Sequence, residues 1–99
     1  MKVLHDHHKY ELASFEGGEP QVIQFIEKEK VGDTFETIND GTTNEEILEM
    51  LIDRMKGLLA KLPSYETQHA LFHVESALLW LEKRTNDRRK RGVEGTPKA

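Results

Sequence analysis

The sequence contains no cysteine, only three prolines and a single tryptophan among its 99 residues. The absence of cysteine excludes disulfide bonds, thiol nucleophiles and zinc sites built on thiolates. No apolar run approaches the roughly 20 residues that a membrane-spanning helix needs. The first ten residues also lack the apolar stretch of a secretory signal. We therefore expect a protein that neither spans a membrane nor is secreted.

Hydrophobic residues are also scarce, at 36% of the chain against 32% charged residues. A chain of this length fits one small domain, and the core of such a domain is marginal in stability by itself. Self-association is the usual way in which small domains cover the apolar surface that they cannot bury internally. The composition therefore predicts a homo-oligomer.

The net charge of −4 conceals an asymmetry along the chain. Residues 1–80 contain seven Lys and Arg against 15 Asp and Glu, a net charge of −8. Residues 81–99 contain seven against three, a net charge of +4. An acidic body with a basic end favours a small anionic partner over general binding of DNA.

The N-terminal part of the chain is predicted to be a β region. Residues 1–9 are interpreted as a polar arm, and the β region spans 10–38. Alternating and β-branched residues predict strands at 10–15, 21–27 and 34–38, separated by glycine-containing turns. Three short strands at this spacing predict an antiparallel meander.

Two helices are predicted to follow, as a helical hairpin over residues 43–91. Thr43 and Glu46 match a capping box, and apolar residues then recur every three or four positions until Pro63 ends the first helix. The second helix begins near Ser64 or Thr67 and continues to about residue 89. A connection this short predicts antiparallel packing. The predicted fold is therefore α+β, in one compact domain with a tail at 92–99.

Arginines near the end of the second helix carry the strongest chemical signal. Arg84, Arg88 and Arg91 are four and three positions apart, so they project from one helix face. Guanidinium groups match phosphate oxygens in a bidentate manner. Gly92 and the glycine at 95 allow backbone N–H groups to approach a ligand, which predicts a phosphate clamp. The alternative is that these cations only stabilise the helix C-terminus.

Histidines occur in two groups, neither of which predicts a metal site. Residues 5–8 include three histidines and an aspartate, but a flexible arm gives no second shell of supporting contacts. His69 and His73 share a helix face, yet the glutamate of a His-Glu-x-x-His zinc motif is absent. We interpret this second pair as part of an interface between subunits.

No catalytic motif is present. The sequence contains neither a Gly-x-Ser-x-Gly nucleophile elbow nor a Gly-x-x-x-x-Gly-Lys phosphate loop, and its serines have no evident activating partner. The residues alone therefore predict no catalytic site. An adaptor that binds an acidic protein partner, and a nucleotide hydrolase with a histidine or carboxylate metal site, remain alternatives.

Several segments carry a resemblance to a known family. Residues 75–88 and 91–96 resemble the hairpin domain shared by two families of phage anti-defence sponges, one antagonising the Thoeris system and the other CBASS. The helix entry at 40–46 and the β segments 10–12 and 23–28 resemble the Thoeris family in particular. The resemblance extends from Tyr10 to Thr96.

The resemblance implies a non-enzymatic function in the cytoplasm of an infected bacterial host. Members of this family bind and sequester a cyclic ADP-ribose isomer without cleaving it, and members also hold cyclic dinucleotides and trinucleotides in separate pockets. Their fold is an antiparallel sheet followed by a helical hairpin. They assemble as dimers or hexamers with ligands between subunits, and the resemblance implies no DNA partner, no membrane partner and no cofactor.

The site residues implied by the resemblance fall in the tail and in the loop between the helices. Those that match the family tail, and are expected to line the nucleotide pocket, are Arg88, Arg91, Gly92, Val93, Glu94, Gly95 and Thr96. Leu62 and Pro63 lie at the inter-helix loop, where family members often have an aromatic residue before the proline. Tyr65 or Phe72 is expected to supply that missing aromatic wall. The candidates for a second pocket near a three-fold axis are Tyr65, Thr67 and His69.

Overall fold

A computed structural model describes residues 1–94 and residue 96, and shows five strands followed by two helices. The strands are β1 (Lys2–His5), β2 (Lys9–Leu12), β3 (Gln21–Gln24), β4 (Glu27–Val31) and β5 (Thr34–Asn39), and the helices are α1 (Asn44–Lys61) and α2 (Tyr65–Lys90). The predicted α+β class, with antiparallel strands preceding two helices, is confirmed. Within the described residues, neither helix is long and apolar enough to cross a membrane.

The chain divides into two compact units, one built on residues 1–43 and the other on residues 44–94. In the first unit, β1, β2 and β3 form an antiparallel sheet in that order, and β4 pairs antiparallel with β5 in a second sheet. Five strands in two sheets therefore replace the single three-stranded meander expected from the sequence.

Pairing between strands explains where the β prediction fails. The predicted polar arm contains β1, in which Val3 pairs with Tyr10 of β2 although the segment is exposed and rich in polar residues. The predicted strand at 21–27 is broken after Gln24. Both differences arise because the pairing partner of a strand, more than its own composition, decides whether it forms.

The break in the strand is caused by a close backbone crossing at Gly41. The N–H of Thr42 donates to the carbonyl of Gln24 at 2.9 Å, and the N–H of Ile26 donates to the carbonyl of Thr42 at 2.9 Å. A Cβ atom at position 41 would lie 2.7 Å from the carbonyl carbon of Phe25. Only glycine therefore permits this approach, which separates β3 from β4.

In the second unit, α1 and α2 are joined by the short connection at 62–64 and pack against each other. Ser64 is the N-cap of α2, since its hydroxyl accepts the N–H of Thr67 at 3.2 Å. Lys56 and Glu75 approach to 4.0 Å between the middle parts of the two helices. Glu45, near the start of α1, lines the same groove as Arg89, near the end of α2. These contacts require the two helices to run in opposite directions.

Very little of the helix pair is fully buried. Among the described residues, the buried side chains are Leu71, which is 8% exposed, and Arg88, which is 9% exposed. The apolar residues that face between the helices are only half-buried, as at Ile47, Leu51 and Leu78. Large apolar side chains of α2 remain exposed, and these are Tyr65, Phe72, Leu79 and Trp80.

The C-terminus of α2 is closed by a glycine in the left-handed conformation. Gly92 has φ 69°, its N–H donates to the carbonyl of Arg89 at 3.0 Å, and the N–H of Val93 donates to the carbonyl of Arg88 at 3.0 Å. This pair of bonds is a Schellman motif. The predicted role of Gly92 as the residue that follows the helix is confirmed.

Alanine substitutions at two glycines should have opposite effects on stability. A Cβ atom at Gly92 or at Gly57, within α1, meets no other atom within 4 Å, so only backbone conformation distinguishes the two positions. Gly92→Ala should lower the free energy of unfolding by about 1–2 kcal/mol because its φ is positive. Gly57→Ala should raise it by about 0.5–1 kcal/mol. Urea denaturation followed by circular dichroism measures both, and changes of the same sign would contradict the left-handed cap.

Candidate functional site

A basic groove lies along the C-terminal half of α2. Its volume is about 250 Å³, and it is lined by Trp80, Lys83, Arg84, Asp87 and Arg91. These residues recur at helical spacing, so one face of α2 presents an indole ring together with three cations. Lys83 forms an ion pair with Asp87 at 3.1 Å, whereas Arg84 and Arg91 are exposed. The formal charge of the lining is therefore +2.

Arg88 occupies a different position from its two neighbours in the predicted arginine stripe. Its guanidinium Nη2 donates to the carbonyl of Val93 at 3.0 Å, and the side chain is buried. Arg88 therefore holds the residues that follow α2 against the end of the helix, while Arg84 and Arg91 line the basic groove. The three arginines do not form one clamp within the chain.

The backbone N–H groups that follow α2 are already hydrogen-bonded within the chain. The N–H groups of residues 91–93 all donate to carbonyl oxygens in the last turn of the helix, at 3.0–3.1 Å. The expectation that glycine at 92 frees backbone N–H groups for a ligand is therefore wrong, because the helix end takes those donors first. Glu94 forms an ion pair with Arg89 at 2.8 Å, and Thr96 is half-buried. The predicted pocket residue Gly95 lies outside the described residues.

An aromatic groove lies at the opposite end of α2. Its volume is about 500 Å³, and it is lined by Tyr65, Gln68, His69, Phe72 and His73. The Tyr65 and His69 rings are tilted by 57° with their centroids 4.3 Å apart, and Phe72 meets His73 edge to face at 5.7 Å. Tyr65 is 73% exposed and Phe72 is 66% exposed. This groove therefore offers open ring faces to a planar ligand.

The predicted second pocket corresponds to this aromatic groove only in part. Tyr65 and His69 line it, but Thr67 is half-buried and does not. The lining residues recur at helical spacing, and Thr67 falls outside that face of α2. Leu62 and Pro63 are exposed in the adjacent connection.

The predicted pocket residues lie at two places that are far apart within a chain. Tyr65 and Arg88 are separated by 23 positions of one helix, or about 35 Å at 1.5 Å per residue. The predicted pocket contains tail residues together with Leu62, Pro63, Tyr65 and Phe72. Within a single chain, these two sets of residues do not come together.

Three side chains in the first unit form a group capable of holding a metal ion. His5, His8 and Glu27 have potential ligand atoms that all lie within 4.8 Å of one another. Hydrogen bonding from His5 lowers the pKa of the Glu27 carboxyl, and the Asn39 side chain, at 3.0 Å, acts in the same direction. Glu27 is therefore a carboxylate at neutral pH. His69 and His73 are not part of any such group within residues 1–94 and 96.

Sequence reasoning missed several lining residues that helical spacing could have identified. Trp80 and Lys83 share a face with Arg84 and Arg91, but the arginine pattern alone did not include them. His73, at the aromatic groove, was interpreted only as one of an interface pair. Glu27 carries no signal in the sequence, because only the folding of the strands brings it to the histidines of residues 5–8.

Comparison with known proteins shows a similarity to a phage protein. The sequence is 40% identical over 58 residues to a protein named Thoeris anti-defense 1 from Bacillus phage SBSphiJ7. The match covers 58% of this chain and 41% of that relative, so it spans less than half of the relative's length. No family model matches the sequence.

The different positions of Arg88 and Arg91 predict different effects on stability. Arg88→Ala should lower the free energy of unfolding by about 1.5–3 kcal/mol, because it removes a buried charged donor from the carbonyl of Val93. Arg91→Ala is the matched control, and its exposed side chain predicts a change within about 0.5 kcal/mol. Thermal and urea unfolding measure both variants. Equal losses in the free energy of unfolding would contradict the role of Arg88 in holding the residues that follow α2.

Proposed function

We propose that this chain, whose match to the Bacillus phage protein supports its membership of the Thoeris anti-defence family, is itself a phage anti-defence protein acting in the infected host. Its proposed action is to bind a cyclic ADP-ribose isomer that serves as the Thoeris immune signal. Sequestration of the signal, without cleavage, would prevent it from reaching its receptor. The family resemblance and the chemistry of α2 together support this proposal.

The observation that carries the proposal is the basic groove. A cyclic ADP-ribose isomer combines a purine with a diphosphate, so it needs cationic donors beside a stacking surface. Arg84 and Arg91 offer guanidinium groups that match phosphate oxygens, and the exposed face of Trp80 suits a purine ring. Trp80 is 68% exposed, which leaves this indole available.

Binding without turnover is consistent with the composition of the basic groove. Its lining consists of an indole, three cations and one carboxylate, and Asp87 is already paired with Lys83. None of these side chains is a nucleophile activated by a neighbouring base. A signal held there would be expected to leave the protein chemically unchanged.

We also propose that the complete pocket lies between subunits of a homo-oligomer, a dimer or a hexamer. The separation of about 35 Å along α2 supports a pocket made from the tail of one subunit and the inter-helix connection of another. The exposed Leu79 and Trp80 supply apolar surface for such an interface. The end of the aromatic groove at Tyr65 and His69 would serve as a separate site for cyclic dinucleotides or trinucleotides of CBASS.

A depletion experiment tests sequestration directly. Incubating the protein with a cyclic ADP-ribose isomer and filtering should remove the ligand from solution, and heat denaturation should then release it intact. Trp80 is the single tryptophan, so its fluorescence reports occupancy of the basic groove. If the ligand is not depleted, the proposal of sequestration is contradicted, and the alternative of an adaptor that binds an acidic protein partner remains. Release of a cleaved product would favour a nucleotide hydrolase.

Substitutions in the basic groove should weaken this binding. Arg84→Ala or Arg91→Ala should each reduce affinity by about 1.5–3 kcal/mol, the range for hydrogen bonds to charged groups. Arg54→Ala is the matched control, because Arg54 is an exposed cation of α1 that lines neither groove. Calorimetric titration with the cyclic ADP-ribose isomer measures the three affinities. Unchanged affinity in both groove variants would refute the assignment of the groove.

A mixing experiment tests the shared pocket. Light scattering should report an oligomer at micromolar concentration, and Arg91→Ala and Phe72→Ala chains should each bind ligand weakly by themselves. Combining the two chains, followed by subunit exchange, should restore binding in part, because some mixed pockets then contain neither substitution. A stable monomer, or no recovery after demonstrated exchange, would contradict a pocket between subunits.

A further inference from the structure

We propose that His5, His8 and Glu27 form a binding site for a divalent transition-metal cation of the zinc type. The site lies in the first compact unit, on a different part of the chain from either groove of α2. Within residues 1–94 and 96, it is the one group in which three potential metal ligands approach one another closely. The proposal does not depend on the proposed function.

The spacing of the ligand atoms is close to that of a coordination sphere. His5 Nε2 lies 3.1 Å from both carboxylate oxygens of Glu27, and His8 Nδ1 lies 4.0 Å from Glu27 Oε2. Two ligands on a tetrahedral zinc ion, at about 2.1 Å from the metal, are about 3.4 Å apart. The His5–Glu27 separation is close to this value, and His8 Nδ1 would move nearer to Glu27 on binding the ion.

The backbone brings the two histidines to the same place. Residues 6–8 form the loop between β1 and β2, and the N–H of His8 donates to the carbonyl of His5 at 3.0 Å. His7 has φ 66°, which fits the third position of a tight turn. The His5 and His8 ring centroids are consequently 5.5 Å apart. This turn replaces the flexible arm expected from the sequence.

Glu27 is held in position from the opposite side. It begins β4, and Asn39 at the end of β5 donates to its Oε1 at 3.0 Å. A hydrogen bond of this kind orients a ligating carboxylate, which is the supporting contact that metal sites require. Oε2 then faces His8 at 4.0 Å. The site therefore has an outer contact as well as three ligands.

The donor set selects the class of cation. Two imidazoles and one carboxylate suit zinc and its neighbours in the first transition series, whereas calcium and magnesium prefer oxygen ligands alone. Three protein ligands leave a fourth position for water. His8 Nδ1 also contacts the carbonyl of Asp6 at 2.8 Å, so ligation through this atom replaces that contact.

Zinc binding by the untagged 99-residue chain tests the proposal. Calorimetric titration with zinc chloride should show one ion per chain, and a saturating amount should raise the melting temperature because the ion binds the folded state. Glu27→Gln, His5→Gln and His8→Gln should each weaken binding about tenfold or more. Circular dichroism of each variant, without zinc, shows whether its fold is retained.

Two control variants separate this site from general histidine binding. His7→Asn changes a neighbouring exposed histidine and keeps a residue that tolerates positive φ, so zinc affinity should be unchanged. The double variant His69→Gln, His73→Gln removes the pair on α2 and should also leave affinity unchanged. The proposal is overturned by an absence of zinc binding, by wild-type affinity in a folded Glu27→Gln chain, or by loss of binding in the α2 variant.

Discussion

The limited burial of apolar surface is the constraint on which the rest of this structure depends. Neither compact unit has a deep core, and within the described part of the helix pair only Leu71 and Arg88 are buried. Apolar side chains that would close a core in a larger domain lie instead on the surface of α2. At the same time, the face that stays exposed is the one that carries Trp80 with Arg84 and Arg91. The small size of the chain therefore also explains why this face, where we propose that the ligand binds, stays exposed.

The C-terminus of α2 shows how local backbone chemistry shapes the candidate site. Carbonyl oxygens at a helix end attract donors, and here they take the N–H groups of residues 91–93 together with the guanidinium of Arg88. A phosphate clamp at this place has to rely on the side chains of Arg84 and Arg91. The unfavourable sign of the helix dipole for an anion is offset by these cations on the adjacent face.

Much of the helical region could be predicted, because its signals are local. The ends of both helices follow from Pro63, Ser64 and Gly92, and the spacing of arginines indicates a shared face. The strands were predicted less well. The pairing of β1 with β2 was missed because residues 2–5 carry no clear strand pattern of their own, and the backbone crossing at Gly41 joins segments distant in sequence, whose contacts no local pattern reveals. Helices were predicted better than strands because the interactions that form a helix lie within a few residues, whereas a strand depends on the segment with which it pairs.

The scarcity of apolar residues and the charge asymmetry are properties of the sequence alone, and they determined a small protein with a basic end. Strand alternation and helical spacing determined its α+β class. Only the tertiary structure decided which charged groups remain available. It buried Arg88 while exposing Arg91, and it brought Glu27 to His5 and His8 across the strands. The physical reason is that composition and helical spacing act over a few residues. Burial and the meeting of distant side chains are decided by how the whole chain packs.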